Sequence, residues 1–105
     1  MIREFDGDFG KVERAKYALL WFSSPGCPPC RMIEPFMHEL SEEYKEVEFW
    51  EVDVEKHLPL AEKFDVMNVP TLIYLKEGNE IARQNLVRKK EEVEEKLMML
   101  LGSDS

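Results

Sequence analysis

Tyr17-Ala18-Leu19-Leu20-Trp21-Phe22-Ser23-Ser24-Pro25-Gly26-Cys27-Pro28-Pro29-Cys30 is the stretch on which the reading of this chain turns. Its first six residues are apolar almost throughout, as expected of a strand covered on both faces. Ser23-Ser24-Pro25-Gly26 then breaks the strand. From Pro28 to Tyr44 the apolar residues Met32, Ile33, Phe36, Met37, Leu40 and Tyr44 recur at three- and four-residue steps. That spacing predicts an amphipathic helix beginning at the Cys-Pro-Pro-Cys motif. Pro35 is expected to kink it, because proline removes an internal hydrogen bond.

Working outward, residues 2–5 read as a short edge strand and 6–15 as a short helix with acidic residues near its start. Downstream, the alternation over 47–54 predicts a strand, followed by a short helix over 58–64. Residues 71–75 form the next strand, and Lys76-Glu77-Gly78-Asn79-Glu80 a hairpin-type turn into 81–87. A last helix over 88–101 places Val93, Leu97, Leu100 and Leu101 on one face. Strand and helix alternate, then a hairpin and a helix close the chain. This order implies an α/β fold: a central mixed β-sheet flanked by helices on both faces. With 105 residues and no internal repeat or linker, residues 1–101 read as one domain. Residues 102–105 read as a disordered tail.

Cys27 and Cys30 are the only two cysteines, at a spacing that lets two sulfurs share one disulfide. The spacing alone also suits half of a zinc site. A metal site within one chain needs about four Cys/His ligands, and His38 and His57 do not form a ligand-spaced pair. A metal shared across a dimer stays open. A purely structural bridge is poorly motivated, since closing so short a loop removes little entropy from the unfolded chain. A bridge that stabilises little is better read as one that is made and broken.

Charge and composition narrow the classes further. A formal charge of −8 disfavours a nucleic-acid partner, which calls for a basic face. The N-terminus, Met1-Ile2-Arg3-Glu4-Phe5-Asp6, is acidic where a signal peptide needs an apolar core, and no window approaches a membrane span. The expected compartment is the cytoplasm, where two close cysteines point to a catalytic or sensing pair. His38 and His57 read as surface histidines, Glu91-Glu92-Val93-Glu94-Glu95 as a solvated helix face, and Met32, Met98 and Met99 as core filler.

A buried strand, a Pro-Gly bend, Cys-Pro-Pro-Cys at a helix start, Pro35 five residues beyond the second cysteine, and Val69-Pro70-Thr71 downstream together resemble the thioredoxin family. The similarity extends through Val52-Asp53-Val54, Leu60-Ala61-Glu62-Lys63-Phe64 and Pro70-Thr71-Leu72. It implies a thioredoxin fold and a thiol–disulfide oxidoreductase that reduces protein disulfides without metal or organic cofactor. A flavin-dependent disulfide reductase would supply electrons to a monomer. Cys27, at the N-cap of the helix, is then the nucleophile, its thiolate favoured by the positive helix end. Cys30 is the resolving thiol. Pro28 and Pro29 set the loop geometry while removing two N–H donors. Pro70 is expected to be cis, freeing the Val69 backbone to pair with an extended substrate.

At four positions the sequence departs from the family pattern. Trp21 stands where thioredoxins carry a buried Asp that moves protons to and from the second cysteine. Glu51 stands where many carry a Lys, which makes it the candidate proton acceptor for Cys30. Gly26 replaces the usual Trp before the first cysteine, and Leu86 replaces a Gly in the substrate-facing loop. Gly26, Pro28, Pro29, Val69, Pro70 and Leu86 are therefore the expected substrate-binding set. Two alternatives accompany this reading: the same chemistry run toward oxidation or isomerisation, and a redox-inert binding module.

Overall fold

The computed structural model describes residues 1–104. Five strands, β1 (Ile2–Glu4), β2 (Tyr17–Ser23), β3 (Glu48–Asp53), β4 (Thr71–Lys76) and β5 (Asn79–Asn85), alternate with four helices. The helices are α1 (Phe9–Glu13), α2 (Pro28–Glu43), α3 (Leu58–Lys63) and α4 (Lys90–Leu101). The strands lie in the order β1-β3-β2-β4-β5. β3 runs parallel to both β1 and β2, while β4 is antiparallel to β2 and β5. The expected mixed sheet with helices on both faces is present.

All seven residues of β2 are buried, but in two different places. Successive strand side chains leave on opposite faces. Tyr17, Leu19 and Trp21 therefore enter one core with Ile33, Met37 and Leu40 of α2 and Val93, Leu97 and Leu100 of α4. Ala18, Leu20 and Phe22 enter the other with Val12 of α1 and Leu60 and Ala61 of α3. A one-residue slip would exchange the two sets, so packing on both faces holds the register.

Boundaries move where turn chemistry overrides the apolar pattern. Glu77 and Gly78 both have positive φ, 49° and 84°, the requirement of a tight two-residue hairpin. β5 therefore resumes at Asn79 rather than 81. It ends at Asn85 because Leu86 takes φ 54°, leaving Leu86 and Val87 outside the strand. Opposite Tyr74 and Leu75 the pairing skips Ile81, the extra residue of a bulge, which is exposed.

One expectation is corrected. Met32, Met98 and Met99 are not core filler: they are 78%, 63% and 44% exposed. The buried stripes run through Cys30, Ile33, Met37 and Leu40 on α2 and through Val93, Leu97 and Leu100 on α4, and the three methionines fall beside them. Beyond α4, Gly102–Asp104 form a 3₁₀ turn. Lys76 Nζ donates to the Ser103 carbonyl (3.1 Å), and Ser103 Oγ to the Leu100 carbonyl (2.6 Å). Ser105 lies outside the described residues.

The contrast within α4 is testable. Leu97→Ala should cost about 2–5 kcal/mol, whereas Met98→Ala should stay within about 0.5 kcal/mol, as read from urea midpoints at unchanged m-value. Comparable losses would contradict the assignment of the buried stripe.

Candidate active site

β2 delivers the chain to the motif. After Ser23 the backbone bends, with Cys27 N donating to the Ser24 carbonyl (3.3 Å). Cys27 is the N-cap of α2, with extended dihedrals (φ −107°, ψ 96°), and Pro28 and Pro29 occupy the first two helical positions. Because prolines lack N–H groups, Cys30 supplies the first amide of the helix. That amide donates to Cys27 Sγ at 3.2 Å. A helix N-terminus and a direct N–H donor both favour negative charge on this sulfur once it is reduced.

Cys27 and Cys30 are joined as a disulfide, with Cα atoms 5.3 Å apart. Cys27 retains 7% exposure and Cys30 none. Gly26 beside them is exposed, and a Cβ there would meet nothing within 4 Å.

Trp21 and Phe22 pair with Leu72 and Thr71 of β4, so Val69-Pro70 reaches the end of β2 that feeds the motif. The Val69–Pro70 bond is cis and Pro70 is buried. Thr71 Oγ1 lies 2.7 Å from the Asn68 carbonyl and 2.8 Å from Asn85 Oδ1, tying both flanks of this loop together. Leu86 N donates to the Pro70 carbonyl at 3.1 Å. Leu86 then faces Pro29 and Met32 across a groove of about 410 Å³, closed by Ile33, Val87 and Arg88. Val69 opens on a separate apolar hollow with Leu58, Val66 and Met67. The positive φ of Leu86 is a conformation that costs a non-glycine residue roughly 1–2 kcal/mol.

Glu51 lies on another side of the motif. Its Oε2 accepts from Ser23 Oγ (2.7 Å) and Arg31 Nη2 (2.8 Å), and its side chain is 28% exposed. Arg31 also donates to Glu34 (2.8 Å) and lays its guanidinium over the Trp21 ring, 5.4 Å from the centroid. Its hydrogen bond to Glu51 is the main cause that pushes the Arg31 ionisation above its usual value. Glu51 is thus an ion-paired carboxylate reached by solvent, in a hollow shared with Ser23, Asp53 and Lys56.

Comparison with known proteins agrees with this geometry. The sequence matches the family model described as Thioredoxin over residues 3–99. The chain belongs to the thioredoxin family. Thioredoxin H2 of Arabidopsis thaliana is 38% identical over 88 residues, 84% of this chain and 65% of that protein, so the chain spans just under two thirds of its length. Thioredoxin H5 of the same plant is 37% identical over 86 residues, 82% of this chain and 72% of that protein. Among solved structures, thioredoxin NaTrxh from Nicotiana alata has a TM-score of 0.82 at 30% identity, covering 93% of this chain and 90% of that one. A mutant thioredoxin from Halobacterium salinarum has a TM-score of 0.87 at 20% identity, a likeness of fold covering 94% of this chain and 89% of that one.

The expected thioredoxin residues are gathered on one end of the sheet, with Glu51 set apart behind Arg31. Sequence reading missed Arg31, Ser23, Met32 and Arg88. A cation directly after the second cysteine and an anion on β3 were the available signal for the first. Among the described residues no cluster of three His, Cys, Asp or Glu side chains is arranged to hold a metal ion, and no helix is long and apolar enough to cross a membrane.

The burial difference predicts the order of thiol reactivity. In the reduced protein iodoacetamide should alkylate Cys27 roughly tenfold or more faster than Cys30, as read by peptide mass spectrometry. Equal rates would contradict the assignment of Cys27 as the accessible thiol.

Proposed function

We propose that this thioredoxin-family chain is a cytoplasmic, monomeric thiol–disulfide oxidoreductase that reduces disulfides in other proteins. The observation that carries the reading is the Cys27 sulfur at the N-cap of α2, accepting the Cys30 amide, with its bridge partner buried one turn on. In the reduced form the Cys27 thiolate attacks a substrate disulfide RS–SR′. The Cys27–S–S–R bond forms, and R′S⁻ leaves and takes up a proton. Cys30 then loses its proton, and its thiolate attacks the Cys27 sulfur. The Cys27–Cys30 bond closes as RS⁻ leaves and is protonated. Two electrons pass from the dithiol to the substrate, and a flavin-dependent disulfide reductase returns them.

The prolines push toward this direction, against the pull of the helix end. A thiolate served by one amide is less stabilised than one facing a complete set of N-terminal donors, and a less stabilised dithiol gives up electrons more readily. Gly26, Pro28, Pro29, Val69, Pro70 and Leu86 form the substrate surface in this reading, with the Val69 backbone free to pair with an extended chain. The exposed Met32 adds an adaptable apolar contact.

With dithiothreitol as electron source, the protein should accelerate insulin precipitation and Cys27→Ser should not; equal activity would favour a redox-inert binding module. The Cys27–Cys30 potential should lie near the thioredoxin value of about −270 mV, and one near the isomerase value of about −180 mV would overturn the reductive assignment.

Glu51 is assigned as proton acceptor for Cys30, acting through the solvent of its hollow. Glu51→Gln should slow turnover roughly tenfold, less than the roughly 10²–10⁴-fold of a direct general base because it acts through water, with the loss largest at acidic pH and recovering as pH rises. A variant with parental rates and an unchanged pH profile would remove Glu51 from the mechanism.

A further inference from the structure

Pro29, Met32, Ile33, Leu86, Val87 and Arg88 line one groove of about 410 Å³. It starts within the motif, since Pro29 stands between the two cysteines, and it adjoins the cis-proline loop, since the Leu86 amide holds the Pro70 carbonyl. Two of its walls are large apolar side chains left in solvent, Met32 at 78% exposure and Leu86 at 54%. Arg88 is the one charged residue that lines it, and no carboxylate does. Glu92, one helical turn on, gives its Oε1 to the amides of Arg88 and Lys89 (2.9 and 2.8 Å). The Arg88 guanidinium itself has no hydrogen bond or ion pair among the described residues, whereas Arg3, Arg31 and Arg83 each pair with a glutamate. In a chain with 22 Asp and Glu against 14 Lys and Arg, acidic partners are abundant. A cation left open on an apolar groove beside the disulfide is therefore a feature with a consequence for what the groove accepts.

We infer that Arg88 is a specificity-determining residue, selecting substrate segments that carry an Asp or Glu beside the large apolar side chain seated in the groove. The occupant is a stretch of the disulfide-bearing protein itself, because a segment whose cysteine lies at Cys27 brings its neighbouring residues onto Pro29. The apolar walls take one side chain out of water. The guanidinium then meets the next one, and its planar fork keeps its charge and matches a carboxylate in two bonds. A lysine at the same place in the substrate meets a like charge and is disfavoured. The net charge of −8 repels acidic partners at a distance, so Arg88 acts at contact range, on how a substrate is seated rather than on how fast it arrives.

The inference rests on the reductive reading of this site, and its test separates the two. Peptides carry one cysteine as a disulfide to a chromogenic thiol, leucine next to it, and Glu, Gln or Lys at each of the next few positions. The pre-reduced protein reduces them in single turnovers. At the position that reaches the groove, the second-order rate should fall about fivefold from Glu to Lys, the size of one exposed ion pair exchanged for a repulsion. Arg88→Gln should flatten the series and Arg88→Glu should invert it. Lys89→Gln removes the same charge from a residue that does not line the groove, and should keep most of the preference. In 1 M salt, where the screening length is about 3 Å, the preference should shrink. Rates indifferent to charge at every position, or a series flattened as much by Lys89→Gln as by Arg88→Gln, overturn the inference while reduction itself stands. Peptides that are not reduced at all would overturn the reductive reading instead. The role of Arg88 is then read in the Cys27→Ser protein, with the peptide cysteine blocked. There the Leu86 and Val87 amide resonances should shift more with the Glu peptide than with the Lys peptide, and equal or absent shifts overturn it.

Discussion

The double-sided burial of β2 is the constraint from which the rest follows. A strand with seven buried residues must be central, and its two side-chain sets must each find a core. α2 and α4 close one core while α1 and α3 close the other. β3 and β4 then take the two flanks of β2, one parallel and one antiparallel. Only one end of this arrangement brings a bend from β2, the start of α2 and the start of β4 together. Cys27, Cys30 and Pro70 lie at that end because β2 leads into α2 and pairs with the start of β4 there.

Electrostatics at that end run against the charge of the whole molecule. The chain carries −8 overall, yet the disulfide sits at a helix N-terminus with Arg31 adjoining it and Arg88 at the rim of the nearby groove. Arg31 is paired with Glu34 and Glu51, so it is chiefly the helix end and its free amide that favour a thiolate there. Pro28 and Pro29 limit this effect by removing amides, so dipole and proline act in opposite directions on the same sulfur. The balance between them, rather than the motif alone, sets the working potential.

Much of this was legible in the sequence for definite reasons. β2 and α2 were readable because their apolar residues keep strict periods, and the N-cap role of Cys27 because adjacent prolines are tolerated in a helix only at its start. Other features are encoded between residues distant in sequence. Glu51 reads alone as a candidate acid; only the register of β3 against β2 and the reach of Arg31 make it half of an ion pair. Helical spacing counted Met32, Met98 and Met99 as apolar, but which stripe is buried depends on the partners the helix meets. The glycine that the family carries at the position of Leu86 was the one hint of a left-handed backbone, held here by the Leu86 amide reaching the Pro70 carbonyl and by the chain turning into α4.

Leu86 and Trp21 show the same trade at two places around one disulfide. At Leu86 the chain keeps a backbone conformation suited to glycine and adds a bulky apolar side chain to the groove beside Pro29, accepting local strain for contact area. At Trp21 it gives up a titratable group for a large ring that fills the core and supports Arg31, leaving a buried donor unmatched in the oxidised form. Each substitution carries a cost in the substrate-free protein, and substrate binding reduces the one at Leu86. The Leu86 side chain, 54% exposed, leaves water when a substrate fills the groove. A state that relieves such a cost is favoured by the amount relieved, so apolar substrates draw the equilibrium toward the bound form. Substrate binding is therefore the event that the departure at Leu86 is placed to favour.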